Sequence, residues 1–274
     1  MSLSALDIDF LRDFVVRRSG NVLRGGHSDL LETRLLPVAK SCGLDTVQQL
    51  VTQLRRSEQP KLSDLVAEAI TVNETSFFRD IHPFDALRKR IIPDLINRNQ
   101  ESREIRIWCA ASSSGQEPYS IAMVLREFFS HLTDWTMHIV ATDLSEKMVE
   151  RSQAGQYTQL EIGRGLPVSK LVQFFERHGT VWQARQELRD LLHFRRMNLT
   201  TPWPYLGQFD VVFMRNVLIY FDQATKADVL RRVRRVIRRD GYLFLGSAET
   251  VIGLNVPFQR EELDATVCYR PTNG

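Results

Sequence analysis

Ile105-Arg106-Ile107-Trp108-Cys109-Ala110, running on into Ala111-Ser112-Ser113-Ser114-Gly115-Gln116-Glu117-Pro118-Tyr119-Ser120, is the stretch that decides the fold. A short apolar run gives way to a loop of small residues, and an apolar helix is predicted over 121–129. Small residues at such a strand-to-helix turn let a ligand approach the backbone closely at a helix N-terminus. The competing reading is a turn that merely caps the next helix. The loop is neither Gly-x-Gly-x-x-Gly nor a phosphate loop ending in Gly-Lys-Ser/Thr, which disfavours a pyrophosphate ligand.

Working outward, further strands are predicted over 137–143, 192–198, 209–215, 241–246 and 266–270, with helical stretches between them. That alternation signals an α/β domain, and strands that are apolar throughout suit a parallel sheet covered on both faces. The interval 157–191 exceeds a simple crossover, so something is inserted there. An amphipathic helix over 83–99 precedes the first strand. Upstream, apolar positions recur only at helical spacing. Phe10, Leu11, Phe14 and Val15 give one stripe, and Leu31, Leu35 and Val38 a second behind a candidate cap at Ser28. Val47, Leu50, Val51 and Leu54 give a third behind Asp45, with Gln48 at capping-box spacing, and Leu62, Leu65, Val66 and Ala69 a fourth. Gly25 with Gly26, Gly43 and Pro60 mark the turns. The expected organisation is a helical domain over 1–81, a connecting helix and linker over 82–104, and an α/β domain over 105–274 with an insertion at about 157–191.

Composition narrows the class. Of 274 residues, 43% are hydrophobic and 25% charged, and the net charge is only +3, so no global field calls for nucleic acid or membrane. Cys42, Cys109 and Cys268 form no Cys-x-x-Cys pair, and no His cluster has metal-ligand spacing. Asp7, Asp9 and Asp13 stand where a signal peptide needs basic and apolar residues, and no apolar run approaches a membrane span. A cytoplasmic protein without a structural metal is the expectation.

The second strand ends in Ala141-Thr142-Asp143, an acid at a strand tip where doubly wound folds hold ribose hydroxyls, though Asp143 alone reads equally as the N-cap of a helix beginning near Ser145. A nucleoside site without a phosphate cradle points to S-adenosylmethionine. Four separated stretches then resemble the family of chemotaxis receptor glutamate methyltransferases, often called CheR. They are Asn73-Glu74-Thr75-Ser76-Phe77-Phe78-Arg79-Asp80, the 108–120 loop, Ala141-Thr142-Asp143-Leu144-Ser145, and Phe213-Met214-Arg215-Asn216-Val217-Leu218-Ile219-Tyr220-Phe221-Asp222; Met197-Asn198-Leu199 makes a fifth. The likeness covers nearly the whole chain in one order.

The resemblance implies a class I adenosylmethionine-dependent, Rossmann-like domain carrying a small β subdomain and preceded by an all-helical domain. It implies that Asn73, Thr75 and Arg79 reach over the cofactor, with Glu117 on its amino-acid end and Asp143 on the ribose. Asn198 and Leu199 would meet the adenine, Arg215 and Asn216 would line the floor, and Arg79 with Tyr220 would orient the substrate carboxylate. Without the family, Arg79 reads as a surface ion-pair residue, Glu117 as a helix first-turn acid and Tyr220 as a core aromatic. Methyl transfer to a glutamate needs no general base, since that carboxylate is ionised at neutral pH. Alignment and exclusion of water are what the protein must supply.

The implied partner is the cytoplasmic helical region of methyl-accepting chemotaxis receptors, met by a monomer without membrane insertion or nucleic acid. Relatives usually meet it through a basic helix, but residues 1–70 carry nine Lys or Arg against nine Asp or Glu, and the second helix keeps only Arg34 and Lys40. Positive charge gathers instead over 226–240, seven basic residues to two acidic, where Val229, Leu230, Val233, Val236 and Ile237 at core spacing mark a solvated helix face in preference to a surface for RNA or an acidic protein. The insertion resembles a β subdomain that in some relatives grips a receptor tail peptide. Its turn Arg177-His178-Gly179-Thr180-Val181 is short with one glycine, so tether-independent recognition is expected. The rival readings are a class I methyltransferase for RNA or a small molecule, and a non-catalytic adenosylmethionine-binding module.

Overall fold

The computed structural model describes residues 3–23, 28–57 and 59–272, with Ser28 described through its backbone alone. The expected turn at Gly25 and Gly26 and the candidate cap at the Ser28 side chain lie outside the described residues and side chains. The chain divides into two compact units, one of Met1–Val72, Asn198–Pro202 and Tyr220–Lys226, the other of Asn73–Met197, Trp203–Ile219 and Ala227–Gly274.

The first unit is built on α1 (Ala5–Ser19), α2 (Ser28–Ser41), α3 (Val47–Arg56) and α4 (Pro60–Ile70). Their apolar stripes meet in one core in which Leu11, Leu35, Leu50 and Val66 are fully buried. Each such side chain contributes about 1.5–3 kcal/mol relative to exposure. α1 starts at Ser4, whose side chain accepts from Asp7 N, and stops at Gly20, which is left-handed at φ +73. A Cβ on Gly20 would stand 2.6 Å from Thr200 Cγ2. Two details differ from the sequence reading. The capping box of α3 is Thr46 with Gln49, one residue later than Asp45 with Gln48, because Thr46 holds the extended backbone a cap requires and its hydroxyl accepts from Gln49 N at 3.2 Å. In α4 the buried face is Leu62, Ser63, Val66, Ala67 and Ile70, which turns Leu65 outward to 43% exposure. Arg34 of α2 donates its Nη1 to the Ile70 and Thr71 carbonyls at the end of α4.

The second unit opens with α5 (His82–Ala86), a π turn over Leu87–Ile91 and α6 (Ile92–Arg98), where the sequence predicts one helix over 83–99. Pro93 has no N–H to give the regular ladder, and Ile92 N reaches back five residues to the Leu87 carbonyl. Then follow β1 (Glu104–Ala110), α7 (Gln116–Phe128), β2 (Thr136–Asp143), α8 (Glu146–Ala154), β3 (Gln156–Thr158), α9 (Gln159–Ile162), α10 (Val168–Phe174), β4 (Phe175–His178), β5 (Val181–Ala184), α11 (Gln186–Arg189), β6 (Leu192–Arg196), β7 (Phe209–Met214), α12 (Gln223–Val236), β8 (Ile237–Leu245), β9 (Phe258–Leu263) and β10 (Thr266–Pro271).

A seven-stranded sheet runs β6-β2-β1-β7-β8-β10-β9, parallel from β6 to β8 and antiparallel through β10 and β9. Ile107 pairs with Ile139 on one side and Val211 on the other, so the chain order reverses at β1. That switch point opens a crevice at the strands' carboxyl ends, where open α/β sheets take ligands. The insertion is a separate antiparallel sheet, β3-β5-β4. β9 was not foreseen, because Gln259, Arg260, Glu261 and Glu262 are exposed on an edge strand and give no apolar signal. Ile237, assigned by spacing to the basic helix, is the first residue of β8, pairing with Phe209 before a register shift at Phe209/Val211.

Candidate functional site

The loop after β1 turns on two left-handed non-glycine residues, Ala111 at φ +57 and Ser113 at φ +49, before Gly115 at φ +90. Such backbone costs about 1–2 kcal/mol per residue with a side chain and persists only where its surroundings enforce it. They do so from behind: Ser152 Oγ donates to the Ser113 carbonyl at 3.0 Å and Tyr157 Oη to the Ser114 carbonyl at 2.9 Å. A Cβ on Gly115 would lie 2.9 Å from Ser152 Oγ and 3.0 Å from Tyr157 Oη, so glycine alone fits. In front, Ser113 N donates to Asp143 Oδ2 at 2.7 Å and Ser113 Oγ to the Asn73 carbonyl at 2.9 Å.

Asp143 is 7% exposed at the tip of β2. Its other oxygen accepts from Ser145 N at 3.0 Å, while the cap of α8 is Ser145 itself, accepting from Met148 N. The alternative role of Asp143 as that cap is therefore set aside. Glu117 sits in the first turn of α7 with its side chain 13% exposed, and its Oε2 accepts from Arg215 Nη1 at 2.8 Å. Burial pushes the Glu117 carboxyl above its ordinary value, against the pull of Arg215 and Arg79; the negative charge of Glu249 pushes the same way as burial.

Arg215, at the end of β7 and 2% exposed in its side chain, is the hub. Besides Glu117 it donates Nη2 to the Arg79 carbonyl and to Asp80 Oδ2, both at 2.8 Å. Its Nε is buried without a hydrogen-bond partner. Segment 78–80 needs such holding, since Phe78 and Asp80 are left-handed at φ +49 and +56. The Phe78 amide is also tied, to Ser120 Oγ at 3.0 Å. Arg79 itself is half-buried and donates Nη1 to the Glu74 carbonyl at 3.1 Å.

The second unit thus brings together Asn73, Arg79, Glu117, Asp143 and Arg215 through direct bonds or fields, with Thr75 half-buried on the same segment as Arg79. Asn216 follows Arg215 in the left-handed region at φ +59. Asn198, Leu199 and Tyr220 fall in the segments grouped with the first unit. There Asn198 Nδ2 donates to the Arg18 carbonyl at 2.7 Å, its Oδ1 accepts from Thr200 N at 2.9 Å, and the Tyr220 carbonyl accepts from Val22 N at 2.7 Å.

One buried acid escaped the sequence reading. Glu249, 8% exposed, lies four residues past the end of β8 and accepts from Asn216 N at 2.8 Å, Ile219 N at 3.1 Å and Gly246 N at 2.6 Å. Asp143 stands at the strand tip itself, whereas Glu249 lies in the loop beyond one, and its partners are backbone amides distant in the sequence, so no local signal marks it.

The donor set suits a nucleoside bearing an amino-acid tail. Two carboxylates able to accept from hydroxyls or an ammonium stand close to the ends of adjacent strands, Asp143 at the tip of β2 and Glu117 in the helix after β1, beside a loop with no lysine and no phosphate-loop motif. Residues 73–267 match the family described as CheR methyltransferase, SAM binding domain, and residues 6–71 match its all-alpha domain.

The chain belongs to the CheR methyltransferase family.

It is 38% identical to chemotaxis protein methyltransferase 1 of Pseudomonas aeruginosa, over 98% of this chain and 99% of that one. It is 35% identical to chemotaxis protein methyltransferase 1 of Vibrio cholerae (96% and 95% covered), and 31% identical to the chemotaxis protein methyltransferase of Salmonella typhimurium (92% and 87% covered). S-adenosylmethionine is accordingly the cofactor of this CheR chain, and its activity is methylation in chemotaxis. Among the described residues no helix is long and apolar enough to cross a membrane, and no group of three or more His, Cys, Asp or Glu forms a metal site.

Proposed function

We propose that this CheR enzyme transfers methyl groups to glutamate side chains in the helical cytoplasmic region of chemotaxis receptors, giving methyl esters. The observation that carries the reading is the environment of Arg79. Its backbone is fixed by Arg215, one donor is spent on the Glu74 carbonyl, and the rest of a five-donor guanidinium fork suits a carboxylate. No His or Cys is found among Asn73, Thr75, Arg79, Glu117, Asp143, Arg215 and Asn216. A carboxylate acceptor is already ionised at neutral pH and needs no base, whereas an amine acceptor needs its proton removed.

The bound cofactor supplies an electrophilic methyl group on a cationic sulfur. The chain supplies alignment. Glu117 meets the ammonium of the cofactor's tail, Asp143 the ribose hydroxyls, and Asn73, Thr75 and Asn216 complete the polar lining, while the family resemblance gives Asn198 and Leu199 to the adenine. Arg79 and Tyr220 orient the incoming carboxylate by charge-assisted and hydroxyl hydrogen bonds. Holding acceptor and donor in line is worth about 7–11 kcal/mol of barrier. Arg79→Ala lowers single-turnover methylation far more than calorimetric affinity for adenosylhomocysteine; equal large losses in both would move Arg79 to cofactor binding alone.

We also propose recognition without a receptor tail peptide. The β4–β5 hairpin closes through Gly179 and Thr180 alone, where the family resemblance associates tail binding with a longer glycine-rich loop. The basic tract argues little for RNA: Arg232 pairs with Asp228, Arg234 Nε donates to the Thr272 carbonyl, and Arg238 pairs with Asp210, as expected of a helix face and strand start tied into their own fold.

A further inference from the structure

We infer that Glu249 is a positioning residue for methyl transfer, holding the loop that follows β7 in the one conformation in which Arg215 and Asn216 face their partners. The inference rests on the methyl-transfer reading for its rate effect and on cofactor binding alone for its second readout.

The loop has no regular structure to fix it. Arg215 ends the strand's reach, Asn216 is left-handed, and a single 3-10 turn over Leu218–Tyr220 follows. Its backbone donors therefore need partners outside the loop. Glu249 gives them: one oxygen takes Asn216 N and Gly246 N, the other takes Ile219 N. A carboxylate accepting three N–H groups is the strongest anchor a side chain offers a loop, because it is acceptor-only and every bond is charge-assisted. Gly246 shows how closely the anchor is packed. A Cβ there would stand 2.7 Å from Asn216 Nδ2 and 2.8 Å from Glu249 Oε2. Two side chains of opposite charge thus hold the end of β7. Arg215 binds Glu117, Asp80 and the Arg79 carbonyl, and Glu249 binds the backbone of 216 and 219.

Glu249 has a second effect that a plain structural staple would lack. Its charge bears on Glu117, raising that carboxyl further. Removing the charge lets Glu117 ionise at lower pH, so the acid limb of cofactor affinity moves to lower pH.

The test compares wild type, Glu249→Gln and Gly246→Ala. Glu249→Gln keeps the size but turns a donor toward the loop amides, and Gly246→Ala crowds the same contact with the charge intact. Methylation of receptor-containing membranes is measured first on wild type, whose inactivity would count against the proposed substrate and not against this inference. With active wild type, both variants are expected to melt cooperatively and to lose about 10²-fold in kcat, the scale of a misplaced reacting group, with a smaller loss of adenosylhomocysteine affinity through Asn216. Calorimetric binding followed through the acid limb is expected to show that limb shifted to lower pH in Glu249→Gln and unshifted in Gly246→Ala. A folded Glu249→Gln with kcat within threefold of wild type, or with an unmoved limb, overturns the assignment. Should Glu249→Gln fail to fold, Gly246→Ala decides: a kcat within threefold of wild type overturns it.

Discussion

Removing the guanidinium at position 215 tests the site's architecture in a single substitution. In Arg215→Met the stem is kept and three hydrogen bonds are lost, those to Glu117, Asp80 and the Arg79 carbonyl. Asp80 is 42% exposed in its side chain, so its ion pair contributes within the small range of surface pairs. Glu117 decides the magnitude. At 13% exposure it becomes a carboxylate with no compensating cation bonded to it, and breaking a buried pair from one side costs about 3–5 kcal/mol. Adding Glu117→Gln removes the orphaned charge, and most of the loss returns, because a buried pair replaced on both sides is often near neutral. The double-mutant cycle then gives a coupling of about 2–3 kcal/mol. The deficit of Arg215→Met also shrinks as pH falls, since Glu117 without its cation takes up a proton more readily. Urea unfolding followed by tryptophan fluorescence reports it, as Trp108 is fully buried in the second unit. Circular dichroism separates the transitions of the two units. A loss under about 1 kcal/mol, or strict additivity in the cycle, refutes the hub.

Four further outcomes follow. The Glu117 carboxyl sits above its ordinary value of 4.5, and an ammonium beside it favours its charged form, so adenosylhomocysteine affinity rises as pH climbs through that raised value and falls below it; Glu117→Gln flattens the profile, and a wild-type profile with no acid limb would contradict the role. The same group lowers stability with rising pH, its contribution being complete below the unfolded value and lost through the folded one. Gly115→Ala combines left-handed strain with crowding of Ser152 and Tyr157, for a loss of about 2–4 kcal/mol and a marked fall in cofactor affinity by calorimetry; a stable variant with wild-type affinity would show that the loop relaxes freely. A receptor tail pentapeptide titrated by fluorescence anisotropy shows no saturable binding up to millimolar concentration, and micromolar binding would remove the tether-independent reading.

The sheet was legible because buried parallel strands announce themselves. Phe209–Met214 is buried at every residue and apolar at all but Asp210, and the small-residue loop before Ile121 marks the turn at the switch point. β9 was not, since an edge strand of Gln259, Arg260, Glu261 and Glu262 has no face to bury. The start of β8 was read as helix because Val233, Val236 and Ile237 keep helical spacing, and only pairing with Phe209 decides between the two. Asp143, an acid at a strand tip, was within reach of residue chemistry, whereas Glu117 reads by chemistry alone as a helix first-turn acid and was singled out only through the family resemblance. Arg215 was read as cofactor floor, but the bonds it makes to 79, 80 and 117 join segments up to 136 residues apart, which no spacing rule reveals. Glu249 went unread for the same reason, its partners being backbone amides about 30 residues upstream.

This CheR chain is proposed to move a methyl group onto a side-chain carboxylate. Incubating it with methyl-labelled adenosylmethionine and receptor-containing membranes, then treating the labelled receptor with mild alkali, tests that directly. Release of the label as volatile methanol is the predicted result; label that stays on the protein through alkali, or appears on RNA instead, would contradict it.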